Sequence, residues 1–191
     1  DDLAREISHT RVVHHSKNMN QGPSYKESVG LATKEYHYLI PGDDMIERES
    51  LRRIVSATGR ADIILPYVEN MEIRHPLRSG VSRMFVEAMN LLFGLKLRYY
   101  NGPVIVRTEL LRSINVSTSF MFVADTVVKL LRKKHTYLEV PMKFNRDAKG
   151  ANLRAIRRNF FSVLLNILKL FWEVRVKPFF GRSSAEDEIR R

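Results

Sequence analysis

The run Tyr36–Glu47, YHYLIPGDDMIE, climbs through aromatic and apolar residues to Pro41-Gly42 and stops at two adjacent carboxylates, Asp43 and Asp44. Acids at the exit of a strand admit two chemistries. Asp is a favoured helix N-cap, and Asp44 precedes a helical pattern that begins at Glu47. Hard divalent cations such as Mg²⁺ take one or two carboxylates together with substrate phosphates rather than a full protein cage. Further on, NRDAKGAN sets Arg146, Lys149 and Gly150 on a loop after a strand. An Arg there either forks onto phosphate oxygens, with Gly150 giving the loop freedom to close, or is an ordinary solvated cation. Arg74 and Arg78 flank Pro76 at the head of a long helix, where they bind a phosphate or serve as surface charge. Asp125 opens the helix that follows FMF, a position the helix dipole favours for an acid. His14, His15, His37, His75 and His135 lack zinc-type spacing and read as structural. The chain has no cysteine, which excludes disulfides and thiolate metal sites. No Gly-x-Ser-x-Gly elbow and no Walker-type loop is present, which argues against a hydrolase elbow and a P-loop kinase.

The elements that must position these residues follow from periodicity. Asp2–Ile7 reads as a short helix, Thr10–His15 (TRVVHH) as a strand and Asn18–Pro23 as a loop dense in turn formers. Tyr25–Ala32 reads as a helix. YHYLI reads as a strand buried on both faces. Glu47–Ala57 reads as a helix with an apolar stripe of Leu51, Ile54 and Val55, and ADIILPY as a third strand. Strands alternating with helices of this length predict an α/β fold with a parallel-type sheet. Pro76–Phe93 is a long amphipathic helix. Leu97–Val106 holds strand material around Asn101-Gly102, FMFVADTVVKLLRKK runs from a short strand into a helix, and HTYLEVPMKFNR is a strand leading to the basic loop. A 191-residue chain, 44% hydrophobic, suits one globular domain with a real core. Residues 1–151 form that domain, 152–177 an amphipathic C-terminal helix and 178–191 a polar tail.

The basicity is regional. Residues 143–182 hold ten Lys/Arg against two acids, which accounts for eight of the eleven net positive charges. That concentration points to an anionic partner. Nucleic acid is disfavoured, since no stacking-aromatic or helix-turn-helix signature accompanies the charge. In the last helix Asn159, Ser162, Asn166, Lys169, Glu173 and Lys177 form one narrow polar stripe, and Phe, Leu, Ile and Trp172 cover the rest. The arc is wider than a core-facing stripe needs, yet too short and interrupted for a bilayer span of about 20 apolar residues. It fits an interfacial helix docked on anionic membrane, or a contact in a homo-oligomer.

Three blocks, in order, carry a resemblance. NMNQGPSYKESVGLATKEYHYLIPGDD, RHPLRSGVSRMFVEAMNLLFGLKLRYYNGPVIVRTELL and FMFVADTVVKLLRKKHTYLEVPMKFNRDAKGANLRAIRRN resemble glycosyltransferase family 2, most closely its dolichyl- or polyprenyl-phosphate sugar transferase branch. The resemblance covers roughly residues 3–174. It implies a GT-A (Rossmann-like) fold, a mostly parallel sheet flanked by helices, lacking about 50–60 N-terminal residues, a length that fits a βαβ unit plus loops. It implies a metal-dependent inverting enzyme that moves a sugar from a nucleotide-diphospho-sugar to a lipid-linked acceptor, with Mg²⁺ or Mn²⁺ on Asp43 and Asp44. The 146–150 loop would cover the donor pyrophosphate, Arg74, Arg78 and Asn101 would hold the acceptor, and Asp125 would be the base for a hydroxyl acceptor. The implied location is cytoplasmic, peripheral at the inner face of a membrane. Two departures matter: the family's Asp-x-Asp aligns as Pro41-Gly42-Asp43, and Asn152 replaces the usual Ser of the loop motif. The alternative is a non-catalytic, membrane-peripheral remnant of such an enzyme.

Overall fold

The computed structural model describes residues 5–145 and 153–178, with side chains of the second span from 161 onward. Four strands form one mixed sheet: β1 (Tyr36–Tyr38), β2 (Ile63–Val68), β3 (Ile105–Arg107) and β4 (Tyr137–Met142), in the order β1-β3-β2-β4. Six helices accompany it among the described residues: α1 (Gln21–Leu31), α2 (Arg48–Ser56), α3 (Pro76–Phe93), α4 (Thr108–Arg112), α5 (Phe122–Arg132) and α6 (Leu153–Phe171). The last helix continues as a π-turn over Trp172–Val176.

β2 is the centre of the core because both of its faces are covered. Ile63 and Leu65 point to one side, where Tyr25, Met89, Phe93, Val127, Leu130 and Leu170 pack. Ile64 points to the other, among Ile46, Ile54, Ile105, Val140 and Met142. This is the period-2 alternation of a strand inside a sandwich of helices. α3 begins and ends at the residues its sequence predicts. Pro76 occupies the first helical position, His75 Nδ1 accepts from Leu77 N at 3.3 Å, and Gly94 closes the helix in the left-handed conformation at φ 65°.

The mostly parallel sheet needs correction. β2 and β4 pair in parallel, whereas β3 is antiparallel to both β1 and β2. β1, β2 and β4 therefore run the same way with one reversed strand inserted between them. The run YHYLI yields a three-residue edge strand, with His37 buried between half-buried Tyr36 and Tyr38, and not a strand covered on both faces. Thr10–His15 forms no strand: all six residues are exposed and none takes part in a β-ladder among the described residues. A strand's backbone needs a neighbouring strand for its hydrogen bonds, and this segment has none among the described residues. No strand precedes α5, and the Leu97–Val106 material contributes only β3 from Ile105. Gly102 is required before it, because a Cβ there would lie 2.6 Å from Pro66 O. The helix expected over Asp2–Ile7 falls partly outside the described residues, as do the 178–191 tail beyond Pro178 and the loop motif at Asn152.

His37 is a core residue, as its lack of metal spacing predicts. Its Nε2 is 2.9 Å from Ser28 Oγ, and its ring meets Tyr25 edge-on at 5.0 Å. Burial holds its pKa below the usual imidazole value. The unfolded chain therefore takes up this proton first as pH falls. The stability His37 contributes is present above about pH 6.5 and is lost as pH drops through the lower folded value. Thermal melts should show the wild type losing more stability between pH 7.5 and 5.5 than His37→Gln, and equal losses would contradict this.

Candidate functional site at the carboxyl edge of the sheet

Because β1, β2 and β4 point the same way, their exits gather on one edge. Ligands of open α/β sheets bind at such an edge. The exits are joined to one another. Asn145 Nδ2 donates to Asp44 O at 2.6 Å, and Asn145 N donates to Met45 O at 2.9 Å. Ile46 bridges Phe144, and Glu47 N donates to Lys143 O at 3.0 Å. The acidic turn is thus zipped to the segment Lys143–Asn145 that follows β4. β2 is tied in by Asn70, whose Nδ2 donates to Phe144 O and whose Oδ1 accepts from Phe144 N, both at 2.9 Å. Since β3 runs the opposite way, its approach brings exposed Asn101 to the same edge.

Asp43 and Asp44 are both exposed on this turn. Asp43 Oδ1 accepts one long bond from Met45 N at 3.4 Å, so its remaining lone pairs are uncommitted among the described residues. Asp44 stands in the left-handed region at φ 49°, which Asp tolerates. No group of three or more His, Asp or Glu forms a protein cage among the described residues. Two solvent-facing hard-oxygen ligands without a cage suit a Mg²⁺- or Mn²⁺-type ion that takes its other ligands from a diphosphate.

Arg74 reaches the same strand exits through Phe144, the residue before Asn145. Its guanidinium covers the Phe144 ring at 4.1 Å, Nη1 donates to Tyr99 OH at 3.4 Å, and buried Nε has no hydrogen-bond partner among the described residues. Arg78 follows on the first turn of α3. Burial and, next, the positive charge of Arg74 lower its pKa. Two neighbouring cations in partial burial are a standing attraction for an anion. On the other side, a cavity of about 480 Å³ is lined by Asn18, Asn20, Gln21, Ser24, Tyr25, Ser28 and Leu39. The buried Tyr25 hydroxyl has no hydrogen-bond partner among the described residues. Amides and hydroxyls without charge suit a neutral polyhydroxylated or heterocyclic group.

Asp125 is placed differently. It sits in the first turn of α5, 8% exposed, and burial raises its pKa against the pull of Lys129. Lys129 Nζ is 2.8 Å from Asp125 Oδ1 and 3.2 Å from Glu173 Oε2, and donates to Asn115 O at 3.0 Å. Lys129, held by Asp125, thus ties α5 to the C-terminal π-turn through Glu173, and no bond among the described residues joins Asp125 to the Asp43 turn. Arg146, Lys149 and Gly150 lie outside the described residues. Asn70, Asn145, Tyr99 and the amide-lined cavity escaped sequence reasoning. Only adjacency to Arg146 and the polar run NMNQ pointed to any of them.

The sequence matches no known family profile and no curated protein. Its fold matches solved structures of glucosyl-3-phosphoglycerate synthase from Mycobacterium tuberculosis. The complex with Mn²⁺, UDP and phosphoglyceric acid superposes with a TM-score of 0.61 at 12% identity, over 88% of this chain and 57% of that one. The complex with Mn²⁺, UDP-glucose and phosphoglyceric acid gives 0.60 at 12%, over 88% and 58%. The complex with Mg²⁺ and UDP gives 0.57 at 14%, over 86% and 57%. The chain spans somewhat over half the length of these structures. The likeness shows the fold alone: this chain shares the mixed sheet with flanking helices of those structures.

Proposed function

We propose that this chain carries the acceptor-side and metal-side portion of an inverting, metal-dependent glycosyltransferase that moves a sugar from a nucleotide-diphospho-sugar to a lipid-linked phosphate. The observation that carries the reading is the Asp43-Asp44 turn, hydrogen-bonded through Asp44 to Asn145 on the shared carboxyl edge, with Arg74 stacked on the neighbouring Phe144. Three further facts support it: the fold likeness to an enzyme crystallised with UDP-glucose and Mn²⁺, the resemblance to the polyprenyl-phosphate branch of family 2, and the apolar C-terminal helix.

Asp43, with Asp44 beside it, would hold Mg²⁺ or Mn²⁺. The ion, when bound, offsets negative charge on the donor's diphosphate. Arg146 and Lys149 would add hydrogen-bonding cations to the same leaving group, and Gly150 would let their loop close over it. Arg74 and Arg78 hold the acceptor phosphate, with Asn101 at its edge, and aim one oxygen at the anomeric carbon opposite the leaving diphosphate. The new C–O bond forms as the old one breaks, and the diphosphate departs with the bonding pair. A phosphate is ionised at neutral pH and needs no base. For a hydroxyl acceptor Asp125 is the proposed base, and Lys129 would have to release it. The uncharged cavity beside Leu39 would receive the sugar or the base of the donor. The enzyme would work peripherally at the cytoplasmic face of a membrane, with α6 on anionic lipid. No helix among the described residues is long and apolar enough to cross one.

Arg74→Ala tests the reading. Truncating one partner of a buried charged contact costs about 2–5 kcal/mol. Transfer from a panel of nucleotide-diphospho-sugars to a short polyprenyl phosphate, with Mn²⁺, should therefore lose about 30-fold or more in kcat/KM through a raised acceptor KM. No transfer by the wild type, or transfer indifferent to Arg74→Ala, would overturn the reading.

A further inference from the structure

A second cavity, of about 260 Å³, is lined by α3, the end of β2 and the segment that follows Gly94. It is smaller than the ~300–1,000 Å³ of pockets that hold drug-sized ligands, so it suits about one ring. Its wall is mixed in chemistry. Val68, Met71 and Val86 are apolar. Arg83 and Glu87 stand one turn apart on α3, both exposed, and no ion pair joins them among the described residues. Each is therefore uncommitted, although a pair four residues apart on a helix is within reach. Arg98 is already oriented. Its guanidinium lies over the Tyr67 ring at 4.5 Å, Nε is 3.9 Å from Glu139 Oε2, and its backbone N donates to Glu139 Oε1 at 2.8 Å. Tyr99 also lines the cavity, and its hydroxyl accepts from Arg74 Nη1 at 3.4 Å. No residue of the Asp43 turn lines it.

We infer that this cavity is a saccharide-binding subsite that takes one neutral sugar ring between α3 and Arg98. Charge decides the class of ligand. Arg83 and Arg98 are matched by Glu87 on the wall and by Glu139 beside Arg98, two cations against two acids. A further phosphate or carboxylate would meet Glu87 as a like charge. A flat heterocycle would need an open aromatic face, and Arg98 already covers one face of Tyr67. A sugar ring matches the whole wall. Its hydroxyls both donate and accept, whereas a guanidinium only donates and a carboxylate only accepts. Arg83, Arg98 and Glu87 together serve both roles, through charge-assisted hydrogen bonds that are about twice as strong as neutral ones. Val68 and Val86 meet the C–H face of the ring. The ring is the shared chemistry of a free carbohydrate and of a sugar carried on an alkyl chain.

Saturation-transfer NMR on the whole chain tests it, with methyl glycosides of glucose, galactose, mannose and N-acetylglucosamine as probes. At least one should receive saturation and show a measurable Kd. Arg83→Ala and Glu87→Ala should each weaken it about tenfold or more, as loss of a hydrogen bond to a charged group does. Both sites are exposed helix positions where Ala is well tolerated, so thermal melting should show the fold intact. Arg52→Ala on α2, exposed and away from the cavity lining, should bind as the wild type does. Octyl glucoside below its micelle concentration separates the sources. Binding tighter than that of methyl glucoside marks a sugar borne on an alkyl chain, equal binding marks a free carbohydrate, and either supports the subsite provided the two variants weaken it. Saturation of no glycoside, binding indifferent to both variants, or displacement of the sugar by inorganic phosphate or by uridine would overturn the inference. No metal, donor or transfer step enters the measurement, so this failure is distinct from a failure of sugar transfer.

Discussion

Asn70→Ala is expected to destabilise the fold by about 2–4 kcal/mol. The Asn70 side chain satisfies both backbone groups of Phe144, whose ring is buried, with bonds of 2.9 Å on each side. Removing the amide leaves a donor and an acceptor orphaned at once, and each buried unsatisfied group costs about 1–3 kcal/mol. The partial burial of these bonds holds the total below the sum of the upper values. The consequence for the site is as large as that for stability. Phe144 is the shelf under Arg74 and the residue before Asn145, so loosening it displaces the anion site and the acidic turn together. Urea unfolding should show the midpoint falling with an unchanged m-value. A shift below about 0.5 kcal/mol, the range of ordinary surface substitutions, would show that the strand exits are held by something else.

Asp43→Asn should leave stability within that same surface range and remove metal-dependent donor binding. The side chain is exposed and accepts only the 3.4 Å bond from Met45 N, so little of the fold depends on it. As a metal ligand its charge is what matters, and an amide is a much poorer ligand for a hard divalent ion. Losing an electrostatic contact aimed at a leaving group typically costs about 10²–10³ in rate. Asp44→Asn should be milder. Its backbone carbonyl makes the bond to Asn145, and Asn tolerates the left-handed conformation as well as Asp does. Calorimetry with Mn²⁺ and UDP should separate the two variants, and Asp43→Asn that binds like wild type would remove Asp43 from the metal role.

Local signals in the sequence were legible where the chain decides its own structure. Pro76 and Gly94 bracket α3, and the bounds 76–93 follow from those two residues. The β2 run is continuous and apolar because both its faces are covered. Pairing was not legible. Nothing in VIVR says that β3 runs backwards between two forward strands, since an apolar strand buried in a mixed sheet looks the same in either direction. Thr10–His15 has strand propensity and no strand to pair with, so propensity alone misled. In the site, Asp43 stood out because an acid after an apolar run is conspicuous. Asn70 and Asn145 did not, because an amide near a strand end is common, and their importance lies in contacts made 74 and 101 residues away.

The central claim is that a divalent ion binds at the carboxyl edge on Asp43. Mn²⁺ broadens nearby amide resonances by paramagnetic relaxation, so its position can be mapped on the folded chain in the presence of UDP. The prediction is selective loss of the amide signals of Asp43, Asp44, Met45 and Asn145. The signals of Asp62 and Thr136, at the far end of β2 and β4 about 20 Å away at about 3.3 Å per residue, should persist. Asp43→Asn should restore the lost signals. Broadening scattered over the surface acids, or a pattern at the edge that Asp43→Asn leaves unchanged, would contradict the account.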